Sequence, residues 1–239
     1  MTKIIDLSME VSADMVVFPR VARPVMAMLE SWEEFATNIG AAKYGTTWLT
    51  AHYVVVLGDH VGTHVDSLKH MRKDAPGPDG IPLEYCYADG VVLDLSDKPV
   101  GYGIKTDDLK RALARIHYTL KPLDIVLIKT GASRYNTEMR YLTEHCGMTG
   151  ESTEWLIDQG IKMMGIDAPT WDRPVKSMFE TQEFWPGHRV MIEREYYHLE
   201  NMANLDAIPT SAGFKVCVLP IKWRGTTAAP VRAVAILED

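Results

Sequence analysis

Hydrophobic positions along the 239-residue chain fall into short runs rather than long helical stripes. β-Branched and aromatic residues gather at 3–11, 52–57, 90–95, 124–130, 160–167, 214–221 and 231–237, and each run, bounded by polar or turn-forming residues, predicts a strand. Only two stretches carry a helical period. In the first, Thr106 suits an N-cap, Asp107 and Asp108 suit the positive end of the dipole, and Leu109, Leu113 and Ile116 follow at i, i+4, i+7. The second begins near 149–151 and stops at Gly160, with Trp155, Leu156 and Ile157 on its apolar side. Segments 73–82 and 168–174 are dense in turn residues and read as loops. Strands outnumber helices without regular βαβ alternation, which predicts one mixed-sheet α/β domain over residues 1–239 rather than a Rossmann sheet or a barrel.

Composition changes this picture little. Apolar residues make up 46% and charged residues 24%, the balance of a globular protein. A net charge of −7 with no Lys/Arg-rich run excludes a phosphate-tracking surface, so nucleic acid is not an expected partner. No apolar run approaches the roughly 18 residues of a membrane span, and the start has no apolar leader, so no membrane partner and a cytoplasmic location are expected. Cys86, Cys146 and Cys217 are widely spaced without a C-x-x-C pair. All three are expected to be free thiols, with Cys217 packed in the core.

The chemistry concentrates in His60-Val-Gly-Thr-His64-Val-Asp66, with His70 following. A helix cannot gather these groups, because Asp66 would point about 200° away from His64. In extended chain 60, 62, 64, 66 and 70 share one face, while Val61, Thr63 and Val65 face a core. An ideal strand would still hold the His60 and His64 Cα atoms about 13 Å apart, so the chain must bend, and Gly62 supplies that freedom. Two imidazoles and one carboxylate suit Zn²⁺ or Mn²⁺ and leave room for water, which a divalent ion ionises near neutral pH. A reversal after Asp66 would return His70 over the metal as the proton-transfer residue.

At this point the chain resembles the cyclase-like metal hydrolases, which include bacterial kynurenine formamidase and isatin hydrolase. Their signature H-x-G-[TA]-H-x-D-x-P-x-H stands here from His60 to His70, with Leu68 replacing the proline. The opening Ile-Ile-Asp-Leu-Ser, the segment 124–131 and Gly165-Ile-Asp-Ala-Pro also look like family landmarks. The resemblance implies a mixed β/β/α fold of the swivelling type and assembly as a homodimer or homotetramer whose neighbouring subunits often complete the pocket. It also implies ligands from the C-terminal half, which here look like His188 and Glu200, so that Asp66 would bridge two ions; isatin hydrolase resembles a one-metal version with Gln at the Glu200 position. Asp167, at a strand end, could orient a ligand histidine from outside the metal or cap the following turn.

The family opens amide, imide, lactam or N-formyl bonds. A small cyclic amide is the expected substrate, with an aryl N-formyl compound such as N-formylkynurenine as the alternative. Among Phe18, Trp32, Phe35, Trp48 and Trp171, we expect Phe18, Trp48 and Trp171 to line a flat apolar pocket. A rival from another class is a protein that holds the metal for structure or ligand sensing alone. A structural zinc site usually closes with four ligands including Cys, and no Cys lies near 60–70. A serine hydrolase built on Ser67 lacks the G-x-S-x-G elbow.

Overall fold

Apolar runs of this length and number must cover both faces of a sheet, and they do so in a computed structural model that describes residues 1–238. The first half contains β1 (Lys3–Asp6), β2 (Val25–Glu30), α1 (Trp32–Asn38), β3 (His52–Val56), β4 (His64–Asp66), β5 (Tyr87–Asp94), β6 (Gly103–Ile104) and α2 (Thr106–Arg115). The second contains β7 (Ile125–Lys129), β8 (Gly147–Met148), α3 (Gly150–Asp158), β9 (Met163–Ile166), α4 (Val175–Thr181), α5 (Pro186–Arg189), β10 (Tyr197–Glu200), β11 (Ala212–Cys217), β12 (Ala228–Pro230) and β13 (Val234–Leu237).

Nine strands form one mixed sheet in the order β1-β13-β11-β5-β7-β9-β10-β4-β12. Its centre, β5 to β10, is parallel, and the flanks are antiparallel. Central parallel strands are covered on both faces, so they are continuously apolar: Val91 and Leu93 on β5 and Ile125 to Ile128 on β7 are buried. Leu109 of α2 and Leu156 of α3 are also sealed in this core. The α/β class with a large mixed sheet is therefore the one the strand pattern predicts. No helix among the described residues is long and apolar enough to cross a membrane.

Three local expectations need correction. The N-cap of α2 is Lys105, not Thr106, because the Asp108 carboxylate reaches back to the Lys105 N–H at 3.0 Å. Cys217 is half-buried at the end of β11 rather than packed in the core, although all three cysteines are free. The run at 52–57 does form a strand, but it lies outside the main sheet. It pairs with β2 in a two-stranded ribbon that the hydrophobic pattern did not disclose in 15–44, and both strands are exposed along almost their whole length.

Candidate metal centre

The site grows from one strand pairing. β10 runs antiparallel to β4 in a register that sets His198 opposite Asp66 and Glu200 opposite His64. Residues paired across a ladder point to the same face, as do alternate residues along a strand. His64, Asp66, His198 and Glu200 therefore share one face, while Val65 and Leu199 enter the core on the other. β12 closes the far side with Ala228 opposite Asp66, a side chain small enough to leave the carboxylate room.

His60 reaches this face around Gly62, whose φ of +64° lies in the left-handed region. A Cβ there would also stand 2.7 Å from Val11, so the bend requires glycine twice over. His60 Nδ1 lies 3.0 Å from Asp66 Oδ1 and 3.2 Å from His64 Nε2. His64 turns Nε2 inward because its Nδ1 sits 2.9 Å from the Gly62 carbonyl, which can only accept. After Asp66 the chain reverses through a 3₁₀ turn, Leu68–His70, with Leu68 buried at the position of the family proline. His70 Nε2 then stands 3.6 Å from Asp66 Oδ2.

α5 supplies His188. Asp172 accepts from the Gly187 and His188 backbone N–H groups and stands 2.5 Å from His188 Nδ1, so His188 presents Nε2 to the cluster, 3.3 Å from Glu200 and 3.5 Å from Asp66. His198 Nε2 lies 3.4 Å from Glu200 and 3.5 Å from Asp66, its ring held between those of Trp171 and Tyr196. Asp66, His188, His198 and Glu200 bring one ligand atom each within 4.8 Å of one another, and His60, Asp66 and His70 form a second such group that shares Asp66.

The hydrogen bonding and electrostatics of these residues suit metal ligands. Both oxygens of fully buried Asp66 and both ring nitrogens of His198 lack a hydrogen-bond partner. Orphaned buried polar atoms are costly unless something coordinates them, and these are metal-ligand types. Burial alone would raise the Asp66 and Glu200 carboxyls; the surrounding imidazoles outweigh it and hold both well below the usual carboxylate range. Burial opposes charge on His60, yet Asp66 raises it to about 9. For His70 burial wins, helped by His188 and His60, and lowers it to about 4, which leaves the imidazole neutral near pH 7.

Above the cluster opens a cavity of about 480 Å³. Phe18, Val21, Met71, Phe184 and Trp185 give it apolar walls, and His60, His70, His188 and Glu200 lie on its floor. Phe18 thus stands where a pocket residue was expected, but the other two aromatics do not. Trp48 is exposed and stacks on Trp32 at 5.1 Å, away from the cavity. Trp171 is sealed beneath the cluster, where its backbone N–H donates to Glu200 at 2.7 Å and its indole donates to Thr153. Asp167 touches no histidine: it accepts from the Thr130 and Gly131 N–H groups and the Thr130 and Ser133 hydroxyls, and so caps the turn after β7. The orienting carboxylate is Asp172 instead. His198 was missed, although His198-x-Glu200 repeats the spacing of His64-x-Asp66 within a strand.

Comparison with known proteins places this geometry. The chain is 25% identical to the kynurenine formamidase of Salinibacter ruber over 234 residues, covering 97% of this chain and 96% of that protein. Its fold matches an isatin hydrolase bound to the product analogue thioisatinate with a TM-score of 0.85 at 18% identity, over 100% of this chain and 93% of that one. It also matches a potential metal-dependent hydrolase with cyclase activity, with a TM-score of 0.74 at 21% identity and full coverage of both chains. Residues 5–173 match the model of the putative cyclase family, and the chain belongs to that family.

Proposed function

We propose that this chain is a metal-dependent hydrolase that opens the C–N bond of a small cyclic amide of the isatin, lactam or imide type. The observation that carries this reading is the buried His/Asp/Glu cluster, with unpartnered ligand atoms, at the floor of an apolar cavity of about 480 Å³. That size suits a small ring compound. The mixed N/O donor set suits Zn²⁺ or Mn²⁺, and Asp66, whose Oδ1 lies near His60 and His64 and whose Oδ2 lies near His188 and His198, favours two ions over one with His70 outside both ligand sets.

A divalent ion at such a site supplies Lewis acidity and eases the ionisation of water. The chain does the rest. Phe18, Val21, Met71, Phe184 and Trp185 hold the flat body of the substrate and exclude bulk water. His70, neutral and on the cavity floor, takes a proton from the attacking water and returns it to the leaving nitrogen as the C–N bond breaks. The test is metal analysis of the purified protein with a hydrolysis panel of isatin, lactams, cyclic imides and N-formylkynurenine. His70→Ala is expected to lower kcat by about 10²- to 10⁴-fold with metal content unchanged. Full activity in that variant would remove His70 from its role, and no metal-dependent turnover of any panel member would favour a binding or sensing protein. An arylformamidase is the second reading, favoured by likeness to the Salinibacter formamidase along nearly the whole chain.

The working form is a homo-oligomer. The β2–β3 ribbon exposes Val25, Met26, Met28, Leu29, Val54 and Val55, and two-stranded ribbons are marginal in water alone. A second copy of the chain is the occupant that every solution of the protein contains.

A further inference from the structure

Thr227 and Asp59 are not members of the ligand cluster, yet one hydroxyl joins them to it. Thr227 immediately precedes β12, the edge strand that pairs with β4. Its Oγ1 donates to Asp59 Oδ2 at 2.8 Å, and the backbone N–H groups of Thr227 and Ala228 donate to the same oxygen at 2.9 and 3.2 Å. The same Oγ1 lies 2.9 Å from His60 Nε2. Asp59 itself stands 4.0 Å from that nitrogen, beyond hydrogen-bond reach, so the hydroxyl acts as the spacer.

A hydroxyl has one proton to give. With that proton on the Asp59 carboxylate, Oγ1 can only accept from His60, and the contact therefore requires an N–H at Nε2. A neutral imidazole protonated at Nε2 carries its lone pair on Nδ1. Nδ1 is the nitrogen that faces Asp66 and His64, at 3.0 and 3.2 Å. The opposite tautomer would aim an N–H at the ligand cluster and set lone pair against lone pair at Thr227.

We propose that Thr227, held by Asp59, is a positioning residue that fixes His60 in the Nε2–H tautomer and aims Nδ1 at the metal. The inference rests on the metal-site reading above. It gives His60 the counterpart of what the Gly62 carbonyl does for His64 and Asp172 does for His188. Thr227 lies outside the segment 5–173 that matches the family model, whereas Asp59 and His60 lie within it, so the hydroxyl alone comes from a part of the chain that the match does not describe.

Thr227→Val keeps the shape and removes the hydroxyl, Thr227→Ser keeps the hydroxyl, and Asp59→Asn replaces the acceptor with a group that can donate to Oγ1 and release the hydroxyl proton toward His60. Zn²⁺ affinity would be read by competition with a chromophoric chelator, and the His60 ring nitrogen that keeps its proton by long-range ¹H–¹⁵N spectra of the Zn²⁺-loaded protein. We expect Thr227→Val to bind Zn²⁺ about 10- to 100-fold more weakly, with loss of the uniform Nε2–H signature, and Thr227→Ser to restore both. If Thr227→Val does not fold, Asp59→Asn decides, with a weaker affinity and a shift toward Nδ1–H as the expected result. Wild-type affinity and an unchanged His60 signature in the folded variant would overturn the proposal and leave the metal site standing. A wild-type protein that binds no Zn²⁺ would overturn both.

Discussion

At the β4–β10 ladder this protein seals Asp66, His198 and Glu200 away from water, whereas the β2–β3 ribbon leaves Leu29 69% and Val56 57% exposed. The first region buries what water would hold gladly, and the second exposes what water rejects. Each is out of balance in the single chain, and in opposite chemical senses. The unpartnered Asp66 oxygens and His198 nitrogens suit a cation, whose coordination would offset their desolvation. Apolar side chains on both faces of a ribbon call for another apolar surface. Phe18 and Val21, which precede the ribbon in the chain, wall the cavity above the cluster.

Removing Asp66 breaks the first half of this comparison most directly. Its two oxygens serve both ligand groups, so Asp66→Ala is expected to abolish tight Zn²⁺ binding and to lower kcat/KM by about 10³-fold or more, the equivalent of about 4 kcal/mol of lost Lewis-acid stabilisation. The folded protein should also lose the stabilisation that Zn²⁺ confers, about 4 kcal/mol when the ion is present at 1,000 times its Kd, and with it the rise in Tm. Calorimetric melts with and without chelator measure this. Equal responses in wild type and variant would show that the unpartnered oxygens do not coordinate anything.

The ribbon gives a smaller effect of a different kind. Met26 and Val55 are paired across it, and both are exposed. Changing both to Lys should leave the fold intact while weakening self-association by roughly 100-fold, from about 3 kcal/mol of apolar burial lost. Sedimentation velocity reads the change. A wild-type protein that is monomeric at micromolar concentration would remove the need for a second copy.

Much of the cluster was legible because it obeys period two. His64-x-Asp66 is extended, the left-handed φ of Gly62 swings His60 back, and the chain reverses into His70. His198 was not legible, because a strand's face acquires meaning only from its register, and it is the pairing with Asp66 that turns His198 toward the cluster. Asp172 was hidden for a related reason: it acts on His188 sixteen residues away, through a helix of one turn that no sequence period marks. The aromatics misled because size and apolarity are common to pocket walls, buried supports and exposed arms. Phe18, Trp171 and Trp48 occupy those three places in turn.

A buried carboxylate of the ordinary kind sharpens the contrast with Asp66, at the smallest expected cost. Asp108, in the first turn of α2, is as deeply buried but fully partnered: it accepts from the Lys105 N–H at 3.0 Å, the Tyr102 hydroxyl at 2.9 Å and Arg111 at 2.6 Å, and it pairs with Lys98 at 3.0 Å. Burial alone would raise its pKa; these donors and cations reverse that and hold it well below the usual carboxylate range. With the folded value below the unfolded one of about 3.9, ionised Asp108 contributes stability that is fully present above pH 4 and is lost as pH falls through the folded value. Asp108→Asn should therefore destabilise the protein by about 1.5–3 kcal/mol at pH 7, and by progressively less as the pH is taken below 4. Urea unfolding at pH 7 and pH 3 measures the gap, and Zn²⁺ affinity should not move. A gap that stays constant between the two pH values would mean that the donors hold the side chain by shape rather than by charge, and would leave Asp66 without its electrostatic counter-example.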